Sequence, residues 1–164
     1  MRHKHLYLLC VLPLVLLLLP IGATGQTREA PVYFWESNRD EGGDDMIPFK
    51  RIVDAKAPLR PTIEALIAGP TEAENTNKYS SVAYGDLKLS DVRVKGSTVR
   101  IDFVREIRED FNPGDLETLR FEAAVIRTAK QFPNIKKVIV CVNGINEFGI
   151  GMVEGRPKPC PAKW

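Results

Sequence analysis

Residues 6–19 form a 14-residue apolar run, interrupted only by Pro13, and this run decides how much of the chain is left to fold. It follows a basic start, Met-Arg-His-Lys-His. It is closed by Pro20 and by Ala23-Thr24-Gly25, which places small residues at the −3 and −1 positions. That order of basic region, apolar region and cleavage site is the layout of a secretory signal peptide, with Gly25 and Gln26 flanking the expected cut. The alternative is an uncleaved anchor, the one route by which the chain is expected to touch a membrane. The run falls short of the ~20 residues that span a bilayer, so cleavage is the expectation. Cys10 lies early in the run behind Leu9, whereas a lipoprotein cysteine would close the run after small residues. The chain is thus divided into a signal peptide (1–25), a domain (26–155) and a Pro-rich tail (156–164).

The charge and histidine content of the remainder narrows its chemistry. The full chain has 23 Lys and Arg against 21 Asp and Glu. Arg2 and Lys4 fall in the leader, so the remainder is balanced at 21 of each. Binding to nucleic acid or anionic lipid by bulk charge is not expected of such a chain. His3 and His5 also lie in the leader. A chain without histidine has no Ser-His or Cys-His dyad and no histidine-ligated metal. No catalytic residue, cofactor or metal is assigned, no enzyme activity is expected, and any small-molecule ligand is left open. Cys141 and Cys160 are the only cysteines beyond the leader. Two cysteines in an exported chain usually pair, and this bond would tie the tail onto an apolar strand. The alternative is a buried, inert Cys141 beside a free Cys160.

Periodicity then gives the elements. Val32-Tyr33-Phe34-Trp35 reads as a buried strand and residues 49–53 as a second. Leu59, Ile63, Leu66 and Ile67 mark one stripe of a helix that tolerates Pro61 in its first turn and stops at Gly69-Pro70. Val92 and Val94, then Val99, Ile101 and Phe103, alternate with charged residues about a turn at Lys95-Gly96-Ser97, which predicts a hairpin with one apolar and one charged face. A second helix starts at Asp115, and Leu116, Leu119, Ala123 and Ile126 form its apolar stripe, with Phe121, Val125 and Phe132 beside it. Residues 138–142 are apolar on both faces, as in a central strand. Asn143-Gly144 marks a turn, and residues 148–153 a last strand. The expected fold is α+β, one compact domain with a mixed sheet of about four to six strands and two helices packed on it.

Three segments, in order, resemble one family. Leu66-Ile67-Ala68-Gly69-Pro70-Thr71 is similar to the leucine-rich helix and Gly-Pro-Thr stop of the GerMN domain. Thr98-Val99-Arg100-Ile101-Asp102-Phe103 matches its second landmark, and residues 131–138 running on to Val142-Asn143-Gly144 match its third. The resemblance implies an extracytoplasmic module with no catalytic residues, periplasmic or extracellular in a bacterial envelope. It implies a fold similar to ring-building modules, hence a partner that is an envelope protein or the chain itself. Residues 105–111 are more charged than is usual in the family, and the tail carrying Cys160 lies outside the resemblance.

Other features have a sharp and a bland explanation. Asp40, Glu41, Asp44 and Asp45 around Gly42-Gly43 offer oxygen ligands for calcium, but not at EF-hand spacing, so a solvated acidic loop is expected. Asp102 and Glu106 are the candidate carboxylate pair of a wall hydrolase or peptidoglycan binder, against solvent-facing structural charge. Lys88, Arg100, Arg105 and Arg108 are a candidate basic patch, diluted by Glu106, Glu109 and Asp110. Gly149-Ile150-Gly151 is not a phosphate loop; it reads as an edge at which a partner strand could add.

Overall fold

The computed structural model describes residues 25–36, 45–74, 78–81, 86–106, 114–146 and 158–162. Strand β1 (Thr27–Glu36) pairs antiparallel with β2 (Met46–Asp54), from Thr27 opposite Asp54 to Trp35 opposite Met46. The end of β1 also meets the two-residue β3 (Tyr79–Ser80). Helix α1 (Leu59–Ala68) lies between the first sheet and the second. In the second sheet β5 (Thr98–Val104) is central, antiparallel to β4 (Lys88–Lys95) and parallel to β6 (Lys137–Val142). A parallel pair needs a crossover, which helix α2 (Gly114–Lys130) supplies. The fold is α+β around one core, with six described strands shared between two three-stranded sheets.

The strongest local patterns explain their elements. Val32 and Phe34 in β1 are fully buried, and the Trp35 indole N–H donates to the Arg120 carbonyl of α2 at 3.0 Å. In α1, Ile63 and Leu66 are fully buried while Leu59 and Ile67 pack partly against the same core. Gly69 ends α1 at φ 84° and ψ −174°, a region open in practice only to glycine. A Cβ there would lie 3.2 Å from Ser81 Oγ. Gly69→Ala is expected to cost about 2 kcal/mol through backbone strain, seen as a lower denaturation midpoint with an unchanged m-value. An unchanged midpoint would contradict this account of the stop.

The hairpin needs one device beyond simple alternation. Leu87 and Leu89 precede Ser90 and Val92 follows it, so a strict two-residue period cannot keep all three on one face. The register slips between Leu89 and Asp91, which puts Leu89 opposite Phe103 and Val92 opposite Ile101. Arg60 Nη2 of α1 donates to the Ser90 carbonyl in that bulge at 3.0 Å. On the β6 side of the sheet, Asn143 (φ 51°) and Gly144 (φ 78°) are consecutive residues with positive φ, as a type I′ turn demands. Val142 and Ile145 exchange backbone hydrogen bonds of 2.8 and 3.0 Å across it.

Two expectations about facing need correction. The core side of α2 carries Thr118, Phe121, Ala124, Val125, Thr128 and Ala129, whereas Leu116 and Leu119 are 44% and 61% exposed. The helix has more apolar positions than the core has room for, and threonine fills two core positions. β6 is apolar on both faces for a different reason from the expected one. Among the described residues β5 is its only neighbour in the sheet, and the reverse side of Cys141 is covered by the chain's own tail.

Candidate functional site

Arg51 is a charged residue that β2 turns inward, where its side chain is only 15% exposed. Its Nη1 and Nη2 both engage the Glu74 carboxylate, the latter at 2.8 Å. Nη2 also reaches the Gly69 carbonyl at 3.4 Å, and the guanidinium lies 5.7 Å from the centre of the Phe34 ring. Glu74 in turn accepts the Thr71 backbone N–H at 2.8 Å. The Gly-Pro-Thr stop after α1 is therefore clamped to β2. The hydrogen bond from Arg51 holds the Glu74 carboxyl below the usual carboxylate range, against the opposing effect of burial.

The charged face of the second sheet is satisfied from within. Arg100 Nε and Nη2 bind the Asp102 carboxylate at 2.9 and 2.7 Å, and Arg93 Nη2 adds a contact at 3.2 Å. Arg93 also pairs with Asp91 at 2.9 Å. Asp102 was expected to face solvent; its side chain is instead 14% exposed. The cover comes from the tail. Cys141 and Cys160 form a disulfide, and the backbone of residues 158–160 pairs with residues 144–146. Arg100 Nη1 then donates to the Pro161 carbonyl at 2.6 Å. β5 ends at Val104, so Glu106 does not continue the strand face of Asp102.

A shallow depression of about 250 Å³ is lined by Asp86, Lys88, Val104, Arg105 and Glu106. Its wall is fixed by backbone contacts. The Glu106 N–H donates to Asp86 Oδ2 at 2.9 Å, and the Asn143 side-chain amide both donates to and accepts from the Arg105 backbone, each at 3.1 Å. The Glu106 N–H is also the main cause that lowers the Asp86 carboxyl below its usual range. Lys88 and Arg105 meet here, whereas Arg100 is committed to Asp102 and the tail. Arg108, the acidic loop residues Asp40, Glu41 and Asp44, and Gly149-Ile150-Gly151 lie outside the described residues. So does the leader before Gly25.

Along α2, the exposed Leu116 and Leu119 continue into the half-buried Ala123 and Ile126. Beside this stripe, Arg120 stacks over Trp35 at 5.3 Å and Arg127 over Tyr33 at 4.8 Å. Both the stripe and the stacked arginines were missed from sequence as surface features. The available signal was an excess of apolar positions on α2 over those one core face can hold.

A small α+β module whose two most covered carboxylates, Glu74 and Asp102, are each paired with arginine is the class of protein these features define. The chain belongs to the Germane family, described as sporulation and spore germination, whose sequence model matches residues 31–147. It is similar in fold to the first GerMN domain of the sporulation protein GerM from Bacillus subtilis. That likeness has a TM-score of 0.56 at 18% identity, over 82% of this chain and 94% of that one. The tandem GerMN domains of the same protein match with a TM-score of 0.54 at 22% identity, over 82% of this chain and 46% of that one. The chain therefore spans about half the length of the tandem structure. No curated protein sequence matches it. Cys141 lies within the family match and Cys160 beyond it.

Proposed function

We propose that this protein is an exported, non-enzymatic module of the bacterial cell envelope that acts by binding another protein. In this account the leader is removed before Gln26 and the folded chain works in the periplasm or outside the cell. The observation that carries the reading is how the carboxylates are used. Glu74 and Asp86 are held toward the ionised form by Arg51 and by a backbone N–H, and Asp102 is bound by two arginines. A general acid needs the opposite environment, one that keeps its proton near neutral pH. The bond between Cys141 and Cys160 fits an oxidising compartment.

The competing reading is a wall binder or hydrolase that uses Asp102 and Glu106. Purified chain incubated with wall polymer is expected to release no soluble fragments, and Asp102→Asn and Glu106→Gln are expected to change nothing. Fragment release that either substitution abolishes, with the fold intact, would overturn the non-enzymatic reading. In fractionated cells, thiol trapping should find both cysteines oxidised outside the cytoplasm.

A further inference from the structure

We propose that one end of the domain rests on an anionic membrane surface through a cluster of exposed cations. The proposal goes beyond the protein-binding reading, and either can hold without the other. Beyond the leader the chain balances 21 cations against 21 carboxylates, but it does not balance them place by place. Arg28 at the start of β1, Lys95 at the end of β4, Arg127 and Lys130 in the last turn of α2, and Lys136 and Lys137 at the entry to β6 are all exposed.

The fold gathers these six. The Arg28 guanidinium lies 5.6 Å from the centre of the Phe132 ring, just past α2. The Phe132 carbonyl accepts the Ile135 N–H at 2.9 Å in the turn that leads to Lys136. The backbone N–H groups of Lys136 and Lys137 then donate to the Ser97 carbonyl at 2.8 and 3.1 Å, in the turn between β4 and β5. Thr98 has Lys95 opposite it on one side and Lys137 on the other, so those two lysines stand two strand spacings apart, about 10 Å, on one face. Among the described residues, none of the six is paired with a carboxylate. The carboxylates that border this end are engaged: Glu29 with Lys50 at 2.9 Å, Asp91 with Arg93 at 2.9 Å and Asp102 with Arg100 at 2.7 Å. Asp54, opposite Thr27, accepts the Lys56 N–H at 2.8 Å. Glu117 and Glu122 have partners of their own and lie five or more residues before Arg127 on α2. The α2 dipole accounts for Arg127 and Lys130, but not for Lys95, Lys136 and Lys137.

Two observations select a bilayer as the occupant. The lysine ammonium groups sit on flexible stems spread over a helix end, a turn and two strand ends, which suits a diffuse negative surface better than one bound anion. Val94, 54% exposed beside Lys95, adds an apolar side chain to that edge. The chain also enters the domain here. Gln26 lies two residues before Arg28, and residues 20–25 separate it from the apolar run 6–19. Six residues reach about 20 Å at most, so while the run sits in a bilayer during export this end is held next to the headgroups.

The test is flotation of the chain from Gln26 onward with vesicles of phosphatidylglycerol and phosphatidylethanolamine, against vesicles of phosphatidylcholine alone. The chain is expected to float with the first and not with the second, and to be released as added salt screens the charges. One lysine near an anionic surface raises affinity about fivefold, so Lys137→Glu and Lys95→Glu are each expected to raise the Kd about tenfold or more. Lys88→Glu makes the same change of charge at the other end of β4 and is expected to leave the Kd within about twofold. All three lysines are exposed, and a thermal melt of each variant verifies that folding is kept. No binding to the anionic vesicles, or an equal loss for Lys88→Glu and Lys137→Glu, would overturn the proposal. So would Lys137-dependent capture of a polyglutamate peptide without binding to vesicles, which would assign this end to an acidic protein.

Discussion

Cys160→Ser is expected to destabilise the domain by about 3 kcal/mol and to lower its Tm by about 10 °C. The bond joins residues 19 apart in sequence, and in the chain-entropy model opening such a loop restores roughly that much freedom to the unfolded chain. The native state suffers as well. Cys141 is fully buried only while Cys160 covers it, and the Arg100 contact to the Pro161 carbonyl depends on the same tail. Cys141→Ser should cost at least as much, because it leaves a hydroxyl in a covered apolar site. The double variant should cost little more than either single one, since both remove one bond. Thermal unfolding with and without a dithiol reductant checks this. A Tm insensitive to reduction would mean that the tail does not constrain the fold.

Arg51→Ala is expected to cost about 2 to 3 kcal/mol, because it leaves the mostly covered Glu74 carboxylate without its cation. The sign with pH follows from the lowered carboxyl. Glu74 titrates below the ordinary glutamate value when folded, held there by the Arg51 guanidinium. Its pairing therefore contributes fully above that ordinary value and is lost as the pH falls through the folded one. Stability measured against pH should fall below about pH 4.5 in the native chain more than in Glu74→Gln. Parallel curves for the two proteins across that window would contradict the pairing. The consequence for architecture is local: the turn after Gly69 should loosen, visible as faster amide exchange at Thr71 and Glu74.

Much of the fold is legible in the sequence because period and punctuation agree. α1 follows from Leu59, Ile63, Leu66 and Ile67 together with Gly69-Pro70. The hairpin follows from the alternation around Gly96, and the start of β6 from the run beginning at Val138. β2 begins earlier than its apolar core implies, because Pro48 sits in an edge strand where its missing N–H costs nothing. The bulge at Ser90 leaves no mark of its own beyond a serine between two apolar pairs. The facing of α2 was not legible, since Leu116 and Leu119 are as apolar as Phe121 and Val125; only the packing partners choose between them. Arg51 was unreadable for a related reason. A largely covered arginine is specified by a carboxylate 23 residues away and by Phe34, and no local pattern encodes that meeting. The charged face of β5 was legible as charged, but not that the tail would cover it.

The central claim is that this chain binds an envelope protein, and reversible cross-linking of the tagged chain in intact cells tests it most directly. The captured complex is read by mass spectrometry after the cross-links are reversed. The account predicts one envelope protein in near-stoichiometric amount. Recovery of wall fragments with no protein partner would contradict it and favour a wall-binding protein that uses its exposed carboxylates.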